Sequence, residues 1–112
     1  MTYPIGSGTS AWMALGDSTR RAIFERLLEQ PQAVHTLANG FPVSRPAVSQ
    51  HLKVLSDAGL VVARRAGKER IYQVDPNGIA ALSAELQRFW DKTMAAYQAV
   101  VEQSAAESPK EQ

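Results

Sequence analysis

Four hydrogen-bonding side chains share one face of a predicted helix in residues 44–60. They are Arg45, Ser49, Gln50 and Lys53, and no carboxylate interrupts this face before the last turn of the helix. Gln is suited to a bidentate pair with adenine, and Arg or Lys to guanine, in a major groove wide enough for one helix. We therefore predict that Arg45, Ser49 and Gln50 contact DNA bases. An ordinary amphipathic surface helix would show the same two faces, so that alternative stays open at this point.

The bounds of this helix are indicated by its own residues. Ser44 can accept an amide hydrogen bond in the first turn, and Pro46 occupies the same turn, where its missing N–H costs nothing. Gly59 favours the left-handed conformation that often ends a helix. An apolar stripe predicted to face the core consists of Val48, Leu52 and Leu55.

A shorter predicted helix, residues 33–39, precedes this segment, and a turn that begins with Asn39 and Gly40 joins the two. Two short helices joined by a tight turn containing glycine are typical of a helix-turn-helix. In that motif the first helix lies across the DNA backbone, and the second presents its N-terminal residues to the bases.

The period of the sequence changes from helical to extended after Gly59. Residues 60–65 are rich in β-branched side chains, and residues 70–74 alternate between polar and apolar side chains, so both are predicted to be short strands. The turn between them, at residues 66–68, is basic. An isolated hairpin is marginal in water, so we expect it to pack through Val61, Ile71 and Tyr72. A basic hairpin behind a recognition helix is typical of the wing of a winged helix. Alternatively, its Lys and Arg residues protect an edge strand from pairing with other chains.

The motif and the hairpin together give a second set of predicted DNA contacts, to phosphates or the flanking minor groove. This set consists of Thr36, Ser44, Pro46, Lys53, Arg65, Lys68 and Arg70.

Two further helices are predicted before the motif. Residues 1–10 are read as a flexible arm, and a short helix carrying Trp12 and Leu15 follows and ends at Gly16. Asp17 or Ser18 then caps a helix of about three turns that ends near Gln30. The arginines on the rim of that helix alternate with glutamates, so we predict that they are solvated or ion-paired.

The C-terminal part of the chain is predicted to be one long helix, about residues 77–103, followed by a disordered tail at residues 104–112. The helix would be roughly 40 Å long, more than a small domain needs for its own core. Its apolar residues recur at spacings of three and four, which indicates a helix-packing seam. We predict a two-fold dimer, although the seam could instead fold back on its own core. The predicted dimer contacts are Trp12, Leu15, Leu82, Leu86, Phe89, Trp90, Met94, Tyr97 and Val101.

Composition and charge limit the class of protein. The 112 residues suit one domain, predicted at residues 11–103, and the chain has no cysteine and a net charge of only +1. From residue 44 to residue 74, six Lys or Arg accompany two Asp or Glu, a balance of +4. Residues 75–112 hold three basic and six acidic side chains, a balance of −3. Such segregation is expected if one face meets phosphate. We expect a cytoplasmic protein without membrane contact, since no signal peptide or bilayer-spanning run is visible.

The sequence predicts no enzyme, no cofactor and no metal site. Ser49 and His51 point about 200° apart on a helix, so they cannot act as nucleophile and base. The only histidines are His35 and His51, and zinc needs three or four converging ligands. We expect His51 to be a half-buried packing residue and His35 to be a surface or phosphate-contacting residue.

The order of these segments resembles the ArsR family of winged-helix transcriptional repressors, over about residues 10–103. The specific matches are Ala47 to Leu55 (AVSQHLKVL), Ala58 to Val61 (AGLV) and Asp17 to Arg21 (DSTRR). The resemblance implies a homodimer built from the first and last helices, an operator with imperfect two-fold symmetry, and repression relieved by a signal. The chain lacks the thiolates and last-helix histidines of metal-sensing members. It is therefore more similar to the metal-independent, SdpR-like branch, whose members often repress their own operon.

The expected fold is mainly α with a small β-hairpin, a winged helix-turn-helix of five helices and a two-stranded wing. The expected function is a sequence-specific regulator that binds an operator in double-stranded DNA, a homodimeric repressor and, by analogy with that branch, an autorepressor. The alternative is a winged-helix module that binds proteins or dimerises without specific DNA binding. The basic balance of residues 44–74 favours DNA. The operator and any inducing ligand are left open.

Overall fold

The structure is a computed structural model that describes residues 10–107. Five helices and three strands follow one another along the chain, so the mainly helical class with five helices is confirmed. The predicted N-terminal arm lies outside the described residues except for Ser10, which caps the first helix. In chain order the elements are α1 (Ala11–Ala14), α2 (Ser18–Glu29), β1 (Gln32–Ala33), α3 (Val34–Asn39), α4 (Arg45–Asp57), β2 (Val61–Ala66), β3 (Glu69–Val74) and α5 (Pro76–Glu107).

The three strands form one antiparallel sheet in the order β1-β3-β2. The hairpin β2–β3 turns at Gly67, which has a φ of +66°, and it confirms the predicted wing. The sheet also contains β1, which the sequence did not predict, so the two-stranded wing is corrected to a three-stranded sheet. Ala33 pairs with Ile71 in this added ladder. A strand of two residues is too short to show an alternating pattern.

The core lies where α2, α3 and α4 meet the base of the hairpin. The apolar stripe of α4 is fully buried there, together with Leu60 and Val61 directly after the helix. Tyr72 packs against the edge of this core from β3. The largest fully buried side chains are Ile23, Leu37, Leu52, Leu55, Leu60 and Val48.

The first turns of α5 pack on the chain's own core. The Asp75 N–H donates to the Leu60 carbonyl at 2.9 Å, and Ile79 and Leu82 lie against the core cluster. Leu15 lies against the same cluster. Two of the predicted dimer contacts, Leu15 and Leu82, are therefore half-buried within one copy of the chain.

Helix α5 is longer than the sequence predicted, because it runs to Glu107 and not to about residue 103. The predicted disordered tail at residues 104–112 is therefore wrong for its first four residues, and residues 108–112 lie outside the described part. Ala105 and Ala106 are strong helix formers. The Gln103 side-chain amide donates to Glu107 at 3.1 Å, which joins the last two turns.

Candidate nucleic-acid interface

Helix α4 has the termini that the sequence predicted. The Ala47 N–H donates to the Ser44 hydroxyl oxygen at 3.2 Å, and Pro46 lies in the first turn. Gly59, with a φ of +81°, provides the left-handed residue after the helix. Because the apolar stripe is buried, α4 is fixed in rotation about its own axis, and the predicted base-contacting side chains are left in solvent. These side chains are Arg45, Ser49 and Gln50.

Lys53 shares this exposed surface but already has a partner. Its Nζ lies 3.1 Å from the Asp57 carboxylate one turn later, and both side chains are well exposed. An exposed ion pair of this spacing contributes little to the free energy of folding. Lys53 can therefore leave Asp57 and bind a phosphate with little loss of stability. The i,i+4 spacing of the two residues was the signal in the sequence for this pair.

The wing exposes a concentrated positive charge. Arg65 and Arg70 occupy directly opposite positions in the β2–β3 ladder, and both are exposed together with Lys68. Like charges directly across a strand pair are destabilising. An anion between them would remove that penalty. Arg64, which was not a predicted contact, instead donates from Nε to the Gln73 side-chain oxygen at 3.1 Å.

The start of α4 and the tip of the wing meet at a shallow cavity of about 250 Å³. Three cationic residues from separate predicted sets line it: Arg45, Lys68 and Arg70. His35 and Glu69 line it as well, with the His35 Nε2 3.5 Å from a Glu69 carboxylate oxygen. The structure thus places one cation of α4, Arg45, beside two cations of the wing around a single cavity.

The other predicted backbone contacts are also accessible. Thr36 is exposed on α3, and Ser44 and Pro46 are exposed at the start of α4. Sequence reasoning gave Glu69 no role, although it is the one acidic side chain lining this cavity. Its contact with His35 joins residues far apart in the chain, so no local pattern could indicate it.

Two arginines of α2 contact the elements next to α4 and α4 itself. The Arg26 guanidinium carbon lies 4.9 Å from the centre of the Phe41 ring, within the turn between α3 and α4. Arg20 contacts the Ala14 carbonyl of α1 and the His51 ring of α4. The sequence predicted both arginines to be solvated or ion-paired, and the structure instead gives each a defined contact within the fold.

A second exposed surface lies on α1 and α5. The backbone N–H of Trp12 donates to the Glu85 carboxylate at 2.8 Å. The centres of the Trp12 and Phe89 rings are 5.9 Å apart. Beyond these contacts, one side of α5 exposes large apolar side chains that we call the α5 apolar face. Met13 on α1 is also exposed and was missed by the sequence prediction. The α5 apolar face consists of Leu86, Phe89, Trp90, Met94, Tyr97, Val100 and Val101.

Neither a metal centre nor a membrane span is found in residues 10–107. No group of three or more His, Asp or Glu side chains in this part of the chain is placed to hold a metal ion. Within the same range, none of the helices combines the length and the apolar character needed to cross a bilayer.

Comparison with known proteins shows which family this chain resembles. A helix-turn-helix domain family matches residues 15–64. The chain is 56% identical over 92 residues to the HTH-type transcriptional regulator Rv2034 of Mycobacterium tuberculosis, covering 82% of this chain and 86% of that protein. A solved structure of a possible transcriptional regulator for arsenical resistance aligns with a TM-score of 0.70 at 40% identity, covering 79% of this chain and 96% of the other.

The family name comes from the solved structure of an ArsR-like transcriptional regulator from Rhodococcus sp. RHA1, which aligns with a TM-score of 0.64 at 33% identity and covers 80% of this chain and 87% of the other. A homodimeric winged helix-turn-helix DNA-binding domain from Mycobacterium bovis, described as a possible ArsR-family transcriptional regulator, aligns with a TM-score of 0.60 at 29% identity. It covers 73% of this chain and 76% of the other. The chain belongs to the ArsR family of winged helix-turn-helix transcriptional regulators. The family prediction is thereby confirmed. In this ArsR-family protein, α3 and α4 are the helix-turn-helix and β2–β3 is the wing.

Proposed function

We propose that this ArsR-family protein is a homodimeric repressor that recognises a specific operator, with α4 in the major groove and the wing on the flanking backbone or minor groove. The observation that carries the proposal is the meeting of Arg45, Lys68 and Arg70 around one cavity. A helix that reads bases and a hairpin that binds phosphates must lie side by side to follow one groove.

Within this arrangement, Ser49 and Gln50 read base edges, and Arg45 reads a base at the N-terminal end of the helix. Thr36, Ser44, Pro46 and Lys53 lie against phosphates, and the wing cations occupy the backbone or minor groove beside them. The opposed pair Arg65 and Arg70 supports a phosphate contact there, because a bound anion would offset their repulsion.

Dimerisation completes the proposed function. The α5 apolar face and the exposed Trp12 and Met13 supply a self-complementary surface, and one structural relative is described as homodimeric. A two-fold dimer would set its two recognition helices about 34 Å apart, one turn of DNA. Repression would then be steric, since a dimer on a promoter blocks polymerase. We further propose a cytoplasmic location, an autoregulated operon and, as in the SdpR-like branch, no dependence on a metal.

The direct test is fluorescence anisotropy of the purified protein on the DNA upstream of its own gene and on a scrambled duplex, at two salt concentrations. We expect a preference of about a thousandfold for the upstream DNA, and no change when zinc is added. Equal, weak and salt-sensitive binding to both duplexes would contradict autoregulation. Absence of binding at low salt would overturn the repressor function and favour a protein-interaction module.

Two substitutions separate base reading from phosphate binding. Gln50→Ala should weaken operator binding by roughly 1–3 kcal/mol and relax the sequence preference, because it removes a contact to a base edge. Lys68→Ala should weaken binding to operator and random DNA alike and lower the salt slope by about one. Gln30→Ala, at an exposed position at the end of α2, is the control and should change neither quantity. If Gln50→Ala lowers both affinities equally, Gln50 does not read a base.

A further inference from the structure

Arg20 lies at the junction of three elements of the fold. Its Nε donates to the carbonyl of Ala14, the last residue of α1, at 2.6 Å. A terminal nitrogen of the same guanidinium lies 3.3 Å from Nδ1 of His51 on α4. Its backbone N–H donates to the Asp17 carboxylate at 2.8 Å. A single half-buried side chain on α2 therefore ties the end of α1 to the recognition helix.

The contact with His51 requires a neutral imidazole. Arg is always charged and can only donate, so Nδ1 of His51 must accept, and the ring proton is then on Nε2. Protonation of His51 would remove the acceptor and place two cations 3.3 Å apart. The contact is therefore made by only one of the two protonation states of His51.

Both partners of the Arg20 side chain lie next to residues with a proposed function. His51 directly follows Gln50 in α4 and directly precedes the fully buried Leu52. Ala14 ends the helix that carries Trp12, whose ring packs beside Phe89 of α5. A change in the His51 contact thus acts on the base-reading turn of α4 and on the end of the helix that joins the α5 apolar face.

We propose that Arg20 is a positioning residue for DNA recognition, and that protonation of His51 removes the Arg20 contact with the recognition helix and thereby weakens operator binding. The inference rests on the proposed function, because it requires α4 to read DNA. The operator affinity of the dimer is then set partly by pH. The protein binds most tightly when His51 is neutral, and binding in the acidic range releases a proton.

The charged groups around His51 fix the sign of this effect. Arg20 and Asp17 face it from α2, and α1 contributes the Ala14 carbonyl and no ionisable side chain. The hydrogen bond that the Arg20 backbone N–H donates lowers the pKa of Asp17, partial desolvation opposes this effect, and the charges of Arg20 and of a protonated His51 add to the lowering. Asp17 therefore stays ionised and offsets part of the repulsion. From α3, His35 faces Glu69 across the cavity and lies away from this contact.

His35 would act in the opposite direction. It lines the cationic cavity beside Arg45, so its protonation adds positive charge to the DNA face and raises affinity at low pH. The test therefore uses His35→Asn protein as the parent, which removes this second titration. In that parent, the charge of a protonated His35 can no longer mask the effect of His51 on operator affinity.

The experiment is anisotropy on an operator duplex recovered by selection from a random library. For the His35→Asn parent we expect operator affinity to be about tenfold lower at about pH 5.5 than at about pH 7.5, a range in which a histidine side chain can change its charge. Adding His51→Asn should flatten the profile, because the amide oxygen can accept from Arg20 and does not titrate. Calorimetry of the parent in two buffers of different ionisation enthalpy should show proton release at about pH 6.5, and His51→Asn should abolish it.

Arg20→Lys tests the positioning role at neutral pH. Lysine keeps the charge but lacks the planar fork needed to serve Ala14 and His51 together, so operator affinity should fall about tenfold. Random-duplex affinity should be unchanged. Arg21→Lys, at the adjacent exposed position, is the matched control and should leave both unchanged. Circular dichroism monitors folding of each variant.

Four results would overturn the inference. A profile that stays equally steep after His51→Asn would exclude His51 as the titrating group. An Arg20→Lys protein that loses thermal stability but keeps its operator-to-random ratio would make Arg20 merely structural. A parent that binds the operator with no pH dependence would overturn the inference alone. A wild-type protein that binds no DNA at any pH would overturn the proposed function as well.

Discussion

Replacing Gly78 with alanine is expected to destabilise the protein by about 3 kcal/mol or more. A Cβ at this position would overlap the Gly59 carbonyl oxygen and lie 2.9 Å from the Leu60 Cα. Both are backbone atoms of the turn that follows the recognition helix, so no side-chain rotation can relieve the overlap. Helix α5 would have to lift from that turn, which would break the 2.9 Å hydrogen bond from Asp75 to Leu60.

Thermal unfolding followed by circular dichroism measures this effect, and the Tm should fall by more than about 12 °C. Gly59→Ala is the matched control. Gly59 has a φ of +81° but no heavy atom within 4 Å of an added Cβ. Alanine there should cost only about 1–2 kcal/mol of backbone strain. Equal losses of stability in the two variants would show that α5 can move away from the turn without the expected additional loss. Close packing at Gly78 would then not be needed.

The recognition helix could be predicted because its signals are local. The cap, the stripe and the closing glycine all lie within residues 44–60, and each fixes the helix independently of the rest of the chain. The hairpin was predictable for the same reason, since strand, turn and strand are consecutive. The polar face of α4 then followed from the burial of its apolar face.

The parts that could not be predicted depend on distant residues. Strand β1 exists because Gln32 and Ala33 pair with β3, almost forty positions later. The cavity that joins Arg45 to the wing tip forms only when α3, α4 and the hairpin have packed together. Local periodicity contains no information about either arrangement.

Arg20 illustrates the limit of a helical-face argument. Its position among alternating charges on α2 indicated a solvated rim residue. In the fold, the open end of α1 presents the Ala14 carbonyl and α4 presents His51, and together they give the guanidinium two partners. His51 was expected to be half-buried and is so, but its partner could be found only from the packing of α2 on α4.

Introducing glutamate at Phe89 and Tyr97 together is expected to convert the protein to a monomer. In a single copy, Phe89 is 53% exposed and Tyr97 is 63% exposed, although both lie on the apolar side of α5. The first turns of this helix pack on the core of the same chain through Ile79 and Leu82, and Phe89 also lies beside the exposed Trp12 ring of α1. A dimer would bury the remaining turns, and an unpaired carboxylate in that interface would be strongly unfavourable.

Sedimentation equilibrium measures the mass of the variant, and anisotropy measures its operator affinity. Since a dimer engages two half-sites at once, loss of the dimer should weaken operator binding by about a hundredfold or more. Ala95→Glu is the control, because Ala95 is exposed and lies about 200° around the helix from Tyr97. It adds a negative charge to the same helix but outside the α5 apolar face, so the protein should remain dimeric and bind normally.

The two measurements separate the interface from its purpose. A Phe89→Glu/Tyr97→Glu protein that keeps the dimer mass would show that the α5 apolar face is not the interface, and its exposure would need another partner. A variant that becomes a monomer yet binds the operator as tightly as wild type would contradict the two-fold operator. Only a joint loss of dimer mass and operator affinity fits a helix that extends beyond its own core to pair two recognition helices.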